Sequence, residues 1–250
     1  MSSLSISLTD VHIHVGHFEG GLYFPPSQIV EDMRALGVKR WCFSSTSTGN
    51  VPFAHVQREI EEVLELSEGM ALPFLWIVPE MLADSRDLAR YFFCDFRGLK
   101  VHGWQGWHPE GEDLRQVFKI AEERELPVML HTGGKPCCEA GVYRKVCSDF
   151  QTVPVILAHG RPIDETMEIM QACPNAYVDT AFMPIRDIIQ LQKSGLLSRV
   201  LWGSDFPIMK FFFKSPLRKY YRRRVQSVVR ALGEDDFHKI AQQNVQSFFN

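Results

Sequence analysis

No stretch of the 250-residue chain is apolar for long enough to cross a bilayer, the longest run, Leu72 to Val78, falling far short of the roughly 20 residues a spanning helix needs. The first ten residues, Met1 to Asp10, hold no Lys or Arg and no continuous apolar segment, so they do not read as a secretory signal. Cysteine is sparse. Six residues (Cys42, Cys94, Cys137, Cys138, Cys147 and Cys173) without a signal read as free thiols in a reducing compartment rather than as a disulfide framework, and a cytoplasmic location is expected. Nor is there an excess of one charge: 27 Lys+Arg stand against 30 Asp+Glu, a net of -3, which gives no whole-molecule field for gripping nucleic acid or an acidic membrane. Low-complexity tracts and composition shifts that would mark a linker are also missing, which favours one domain over residues 1–250. With 45% hydrophobic and 23% charged residues, the chain falls with globular proteins rather than disordered or fibrous ones.

What the sequence does contain is an alternation. Short β-rich runs occur at Ser5 to His14, Arg40 to Ser45, Leu72 to Val78, Gly98 to His102, Pro127 to His131, Val153 to His159, Ala176 to Asp179 and Arg199 to Gly203. Helical patterns lie between them, several opened by a capping residue: Ser27 ahead of Ile29, Val30 and Met33, Asp84 ahead of Leu88 and Ala89, and Asp164 ahead of Met167, Ile169 and Met170. A last helix is expected from Asp235 to Phe249, after a long basic connection. Strand followed by helix, repeated eight times in 250 residues, predicts an α/β fold, a single (β/α)8 TIM barrel. A doubly wound open sheet would also alternate and is the competing architecture.

Chemistry gathers where the strands end. His12 and His14 are two apart on a strand, so both rings leave one face about 7 Å apart along the backbone and can close on one cation. His102, His131 and His159 end candidate strands four, five and six, and Asp205 follows the eighth in Gly203-Ser204-Asp205-Phe206-Pro207. Any one of these histidines alone would read as a core imidazole bonded to backbone. In a parallel barrel, however, all strand C-terminal ends open on one face, and ring nitrogens with a carboxylate are what zinc and similar ions require.

Asp10-Val11-His12-Ile13-His14, Gly98-Leu99-Lys100-Val101-His102, Pro127-Val128-Met129-Leu130-His131, Val155-Ile156-Leu157-Ala158-His159-Gly160 and Gly203-Ser204-Asp205-Phe206-Pro207 together resemble the amidohydrolase superfamily, in its amidohydrolase-related (amidohydrolase 2) branch. The resemblance spans about Leu8 to Phe249, including Ile240 to Phe249, which resembles the family's final helix. It implies that His12, His14, His131 and Asp205 coordinate one catalytic divalent ion, most plausibly zinc with manganese as the alternative, and that His159 stands beside the bound water or substrate oxygen. Neutral imidazoles would leave such an ion enough Lewis acidity to bring a water's pKa down to about 7. Asp205 would bind the ion or take the water's proton, and His159 would stabilise an oxyanion or steer the water. Some members of the superfamily carry a carboxylated strand-four lysine bridging two metals, so a two-metal site on a modified Lys100 competes with one metal beside an unmodified ammonium.

The loops around this mouth offer Trp104, Trp107 and His108 after strand four and Phe206 to Phe213 after strand eight, which would line an apolar or aromatic pocket or simply pack. Lys100, His102, Trp104, Trp107 and Arg218 are the candidate substrate contacts. Arg218 comes from the basic segment Lys214 to Arg224, interleaved with Tyr220 and Tyr221; if helical, Lys214, Arg218 and Arg222 form a stripe, read either as solvated surface or as a cationic wall for an anionic substrate. A deoxyribonuclease branch normally has a glutamate where Lys100 stands, which counts against nucleic acid. Cys137 and Cys138, just after His131, raise a redox or second-metal role with no second cysteine pair to support it. The expected function is metal-dependent hydrolysis of a carbonyl, amide, ester or lactone in a small organic substrate. Non-oxidative decarboxylation of an aromatic or unsaturated acid is the alternative, followed by metal binding without turnover. A homo-oligomer stays open.

Overall fold

The computed structural model describes residues 7–83, 88–212 and 215–249. All eight expected strands form, and they are parallel: β1 (Leu8–Phe18), β3 (Val38–Ser45), β4 (Ala71–Ile77), β5 (Gly98–Val101), β6 (Val128–His131), β7 (Val155–Ala158), β8 (Ala176–Asp179) and β9 (Val200–Leu201) pair in that order. The ninth is β2 (Leu22–Phe24), which folds back antiparallel on the end of β1 through the pairs Gly16–Phe24 and Phe18–Leu22. The open-sheet alternative fails at the seam. Val11 N donates to Trp202 O at 2.9 Å, Asp205 N to His12 O at 2.9 Å and His14 N to Phe206 O at 2.8 Å, so the last strand hydrogen-bonds to the first and the sheet closes.

Inside the ring, Val11, Cys42, Leu72, Phe74, Met129, Ile156, Ala158 and Leu201 form an apolar cluster drawn from six of the parallel strands. Val245 joins it from the C-terminal segment. The barrel is thus a packed core, not a pore. The larger core lies between the ring and the helices α1 (Pro26–Leu36), α2 (Phe53–Ser67), α3 (Glu112–Glu123), α4 (Arg144–Asp149), α5 (Ile163–Ala172), α6 (Ile185–Lys193) and α7 (Leu217–Leu232). Each longer helix brings an apolar stripe to it, such as Ile29, Val30 and Met33 or Val225, Val228 and Leu232.

Helix starts differ from the sequence reading. Neither Ser27 nor Asp164 caps: α1 begins at Pro26 after Pro25 and α5 at Ile163 after Pro162, and α2, α6 and α7 also follow prolines, Pro52, Pro184 and Pro216. Proline's fixed φ suits the extended residue that precedes a helix, so no side-chain cap is made. Asp84 lies outside the described residues, and Leu88–Tyr91 forms only a short 3-10 turn. The basic connection is itself the 16-residue α7, and the expected last helix divides into α8 (Glu234–His238), a π turn over Lys239–Gln243 and α9 (Asn244–Phe249).

The seam is held from outside by one buried carboxylate. Asp10 Oδ1 accepts from the backbone N–H of His12 at 3.0 Å and of Ser204 at 3.1 Å, while Tyr221 of α7 donates its hydroxyl proton to Asp10 Oδ2 at 2.9 Å. Trp202 Nε1 in turn donates to the Tyr221 oxygen at 3.0 Å. Burial pushes the Asp10 carboxyl up to about 6, against the pull of these donors. Replacing Tyr221 with Phe removes the buried donor to Asp10 Oδ2 and the buried acceptor of Trp202 Nε1. The expected cost is about 1–3 kcal/mol, read as a fall in urea midpoint with unchanged slope; a midpoint within error of the parent would mean that the seam does not depend on this bond.

Candidate metal centre

The middle of β1 delivers His12 and His14 to the interior, and the turn after β9 brings Asp205 to meet them across the seam. Their Nε2 atoms are 3.1 Å apart, and Asp205 Oδ1 lies 3.0 Å from that of His14 and 3.4 Å from that of His12. All three residues are buried, and Asp205 Oδ1 has no hydrogen-bond partner. A buried carboxylate oxygen left unpaired between two imidazole nitrogens is costly unless a cation completes it. The donor set, two imidazoles and a carboxylate with ligand atoms within 4.8 Å of one another, suits zinc or a similar ion.

The ring orientations are fixed from behind. His12 Nδ1 is 2.8 Å from Asp179 Oδ2, so its proton sits on that side and the Nε2 lone pair is free to face the centre. Asp179 Oδ1 accepts from the N–H groups of His159 at 3.0 Å and Ala181 at 2.9 Å. His14 Nδ1 is 3.1 Å from the Ser44 hydroxyl. Gly203 is packed so closely that a Cβ there would stand 2.9 Å from the Asp179 Cβ and 3.1 Å from that of His12. Asp205 and His159 both adopt left-handed backbone, with φ of 57° and 72°, a strained conformation for such side chains and one that collects at functional sites. Asp179, which sequence reading passed over, carries the signal that should have found it: it is the last residue of a parallel barrel strand.

Burial lowers the pKa of His14, and lowers that of His159 to about 3 and of His102 to about 3; His131 is also pushed down, by burial and then by its histidine neighbours. Burial alone would raise the Asp205 carboxyl, but His12, His14 and His159 hold it well below the usual range. The Asp205 carboxylate is therefore ionised, and burial biases His14, His102, His131 and His159 toward the neutral form. Lys100, fully buried with Nζ 3.3 Å from His12 Nε2, is lowered by burial to about 8 while Asp205 and Asp179 pull the other way.

The remaining candidates divide. His159 Nδ1 lies 3.2 Å from Ala181 O, and its Nε2 faces both Asp205 Oδ2 at 4.0 Å and His131 Nδ1 at 3.2 Å. His131 is therefore brought to His159 rather than into the His12, His14 and Asp205 group. His102 lies between Trp76 and His131, stacked on both at centroid distances of 5.6 and 3.9 Å. Trp104 is 42% exposed at the rim, with Lys135 Nζ 4.3 Å above its ring. Trp107 is buried in the main core and does not line the mouth. Arg218 is not a wall of the mouth either: its guanidinium is tied to Glu31 and Asp32 of α1. Arg222 bonds Ala35 O of the same helix, so these two arginines serve a helix-to-helix contact; Lys214 lies outside the described residues. The cation that does sit beside the centre is Arg161, half-buried after His159, in the field of Asp205 and Asp179 and donating to Phe182 O. Cys137 and Cys138 join no metal-ligating group among the described residues, and burial pushes the Cys138 thiol up to about 12, which disfavours its thiolate.

The family model for amidohydrolases (Amidohydro_2) matches residues 9–250. Comparison with curated protein sequences returned no match. Among solved structures, the chain is similar to a probable 2-pyrone-4,6-dicarboxylic acid hydrolase from Acinetobacter baumannii with citric acid bound (TM-score 0.72, 12% identity, covering 98% of this chain and 99% of that one). It is also similar to the IDCase of Metarhizium anisopliae (TM-score 0.70, 12% identity, 99% and 98% covered). A third similar structure is a 2,6-dihydroxybenzoate decarboxylase complexed with 2,6-dihydroxybenzoate (TM-score 0.68, 15% identity, 98% of each chain covered). At these identities the structures speak for a shared barrel fold, whereas the family model spans nearly the whole chain: the protein belongs to the amidohydrolase family, in the branch described by that model.

Proposed function

We propose that the protein is a metal-dependent hydrolase that cleaves a carbonyl-centred bond, an ester, lactone or amide, in a small carboxylate-bearing substrate. The observation that carries this reading is Asp205 Oδ1, buried and unpaired between the Nε2 atoms of His12 and His14. These three residues hold the ion, with zinc preferred on the donor set and manganese compatible with the hard carboxylate. His131 is retained as a fourth donor, since it is neutral and adjoins the group through His159. An ion held there supplies Lewis acidity toward a carbonyl oxygen and toward water.

The chain's own residues do the rest. Asp205, ionised at the centre, accepts the proton of the attacking water. His159 is anchored by its Nδ1–H to Ala181 O, which leaves the Nε2 lone pair to accept a hydrogen bond from the attacking water and steer it, while the proton taken by Asp205 passes to the leaving group. Lys100 and Arg161 are cations close to the centre whose charge is only partly met, and they bind the substrate's carboxylate groups. The known ligands of two fold neighbours, citric acid and 2,6-dihydroxybenzoate, are small acids of the kind such cations would take. A second reading, decarboxylation of an aromatic acid, is favoured by the ring stack of Trp76, His102 and His131 with Phe182 against His159, which offers flat walls to a planar substrate.

His12→Ala or His14→Ala is expected to lose both metal and activity, whereas Asp205→Asn keeps appreciable metal and slows turnover by about 10²–10⁴-fold. Elemental analysis and steady-state kinetics on the same preparations read the contrast, and near-normal turnover in Asp205→Asn would remove the carboxylate from the mechanism. The two reactions separate in a screen of metal-loaded protein against carboxylated lactones, amides and hydroxybenzoates with carbon dioxide monitored: hydrolysis releases none, and its stoichiometric release would favour the second reading. Lys100→Ala should keep the parent's metal content while KM for a carboxylate substrate rises about tenfold, the worth of one charge-assisted hydrogen bond. Loss of metal in this variant would instead mark Lys100 as a carboxylated bridge between two ions.

A further inference from the structure

A second group of metal-ligating side chains stands on the other face of the barrel wall. Ser44 and Ser45 are neighbours on β3, and their side chains leave the strand on opposite sides: the Ser44 hydroxyl meets His14 Nδ1 inside, and Ser45 donates to Glu59 Oε2 at 2.7 Å on the side of α2. Glu59 is 3% exposed. Its Oε1 accepts from the Ser47 hydroxyl at 2.9 Å and lies 3.1 Å from Nε2 of His55, one turn earlier on α2. Among the described residues no Lys or Arg pairs with this buried carboxylate. From β1, His17 brings its ring centroid to 5.3 Å from that of His55, with Tyr23 of the hairpin 4.4 Å away on its other side.

Two details go beyond a casual surface cluster. His55 Nε2 is shielded from water and makes no hydrogen bond of acceptable geometry even though a carboxylate oxygen is within reach. Such a nitrogen is a lone pair or proton aimed at nothing, and leaving it so is costly. The backbone has also made room for the carboxylate: Gly16 sits at φ +95° between His14 and His17, and a Cβ there would stand 2.6 Å from Glu59 Oε2 and 2.5 Å from the Ser47 oxygen. The left-handed glycine turns β1 so that His17 reaches the outer face. Two imidazoles and one carboxylate, each with a donor atom within 4.8 Å of the others, then converge, with hydroxyls bonded behind the carboxylate as metal sites generally require.

We infer that His17, His55 and Glu59 form a second divalent-cation site, suited to zinc, that ties the β1–β2 hairpin to α2. The partial exposure of both histidines leaves the ion a position for water, and the site is separate from the barrel centre because Ser44 and Ser45 face the two sites from opposite sides of one strand. It does not depend on the hydrolase reading.

The test is a zinc count on chelator-stripped protein after equilibrium dialysis at micromolar free zinc. His12→Ala/His14→Ala, whose barrel centre is disabled, should still bind about one equivalent and gain thermal stability with zinc, and adding His55→Ala should abolish both. In the otherwise intact chain, His55→Ala or His17→Ala should lose one equivalent relative to the parent, a comparison that holds even if the double variant does not fold. A parent and a His55→Ala variant with equal zinc content overturn the proposal and leave a metal-free His55–Glu59 contact. If only the reading of the barrel centre were wrong, the parent would bind one equivalent and His55→Ala would remove it.

Discussion

Closing a sheet into a ring obliges its first and last strands to share hydrogen bonds, and in this molecule that obligation builds the site. The bonds Val11 to Trp202, Asp205 to His12 and His14 to Phe206 are ordinary ladder bonds, yet they set His12 and His14 against Asp205. Two of the three donors of the candidate centre, His12 and His14, lie about 190 positions from the third, Asp205. No local propensity could hold them at 3 Å from one another; only the register of the seam can. Asp10 is the pin of that register. By accepting from the Ser204 N–H in the turn after β9, it makes a slip across the seam cost that hydrogen bond at a buried carboxylate.

Asp179 plays the corresponding part for side-chain orientation. One of its oxygens takes the His12 ring and the other takes the backbone of His159 and Ala181, so the placement of both histidines is set by one carboxylate. Because β8 lies between β7 and β9, its last residue stands between the turns that carry His159 and Asp205. The positive φ of His159 and Asp205 is tolerated where these contacts over-determine the backbone.

The strands were legible because parallel barrel strands are short apolar runs ended by a functional residue, and His131 and the histidine or aspartate just after β5, β7 and β9 follow that rule. The same rule applied to β8 would have named Asp179, but with attention on histidines and the family motifs its role as an orienting acceptor does not stand out. Helix starts were misread because Ser27 and Asp164 are good caps only if the preceding proline does not already begin the turn. The β1–β2 hairpin was missed since three residues after Gly20-Gly21 give no alternation to detect. Arg218 illustrates a deeper limit. A basic stripe at helical spacing is equally consistent with facing substrate or a neighbouring helix, and only the ring geometry, which sets α7 beside α1 with Glu31 and Asp32 waiting, decides. Arg161, by contrast, gave no pattern signal and acquired its place from the turn after β7.

The seam also governs the order of assembly. As the chain leaves the ribosome, His12 and His14 emerge early, while Asp205 and the strand that carries it follow nearly two hundred residues later. Until then β1 has β3 along one side and on the other only the short β2 at its C-terminal end, so the edge that will receive β9 is open. Contacts this distant in sequence form late, because the loop they close is paid for before they return anything. A nascent chain therefore holds two of the three residues of the candidate centre and an exposed strand edge until β9 arrives and completes both at once.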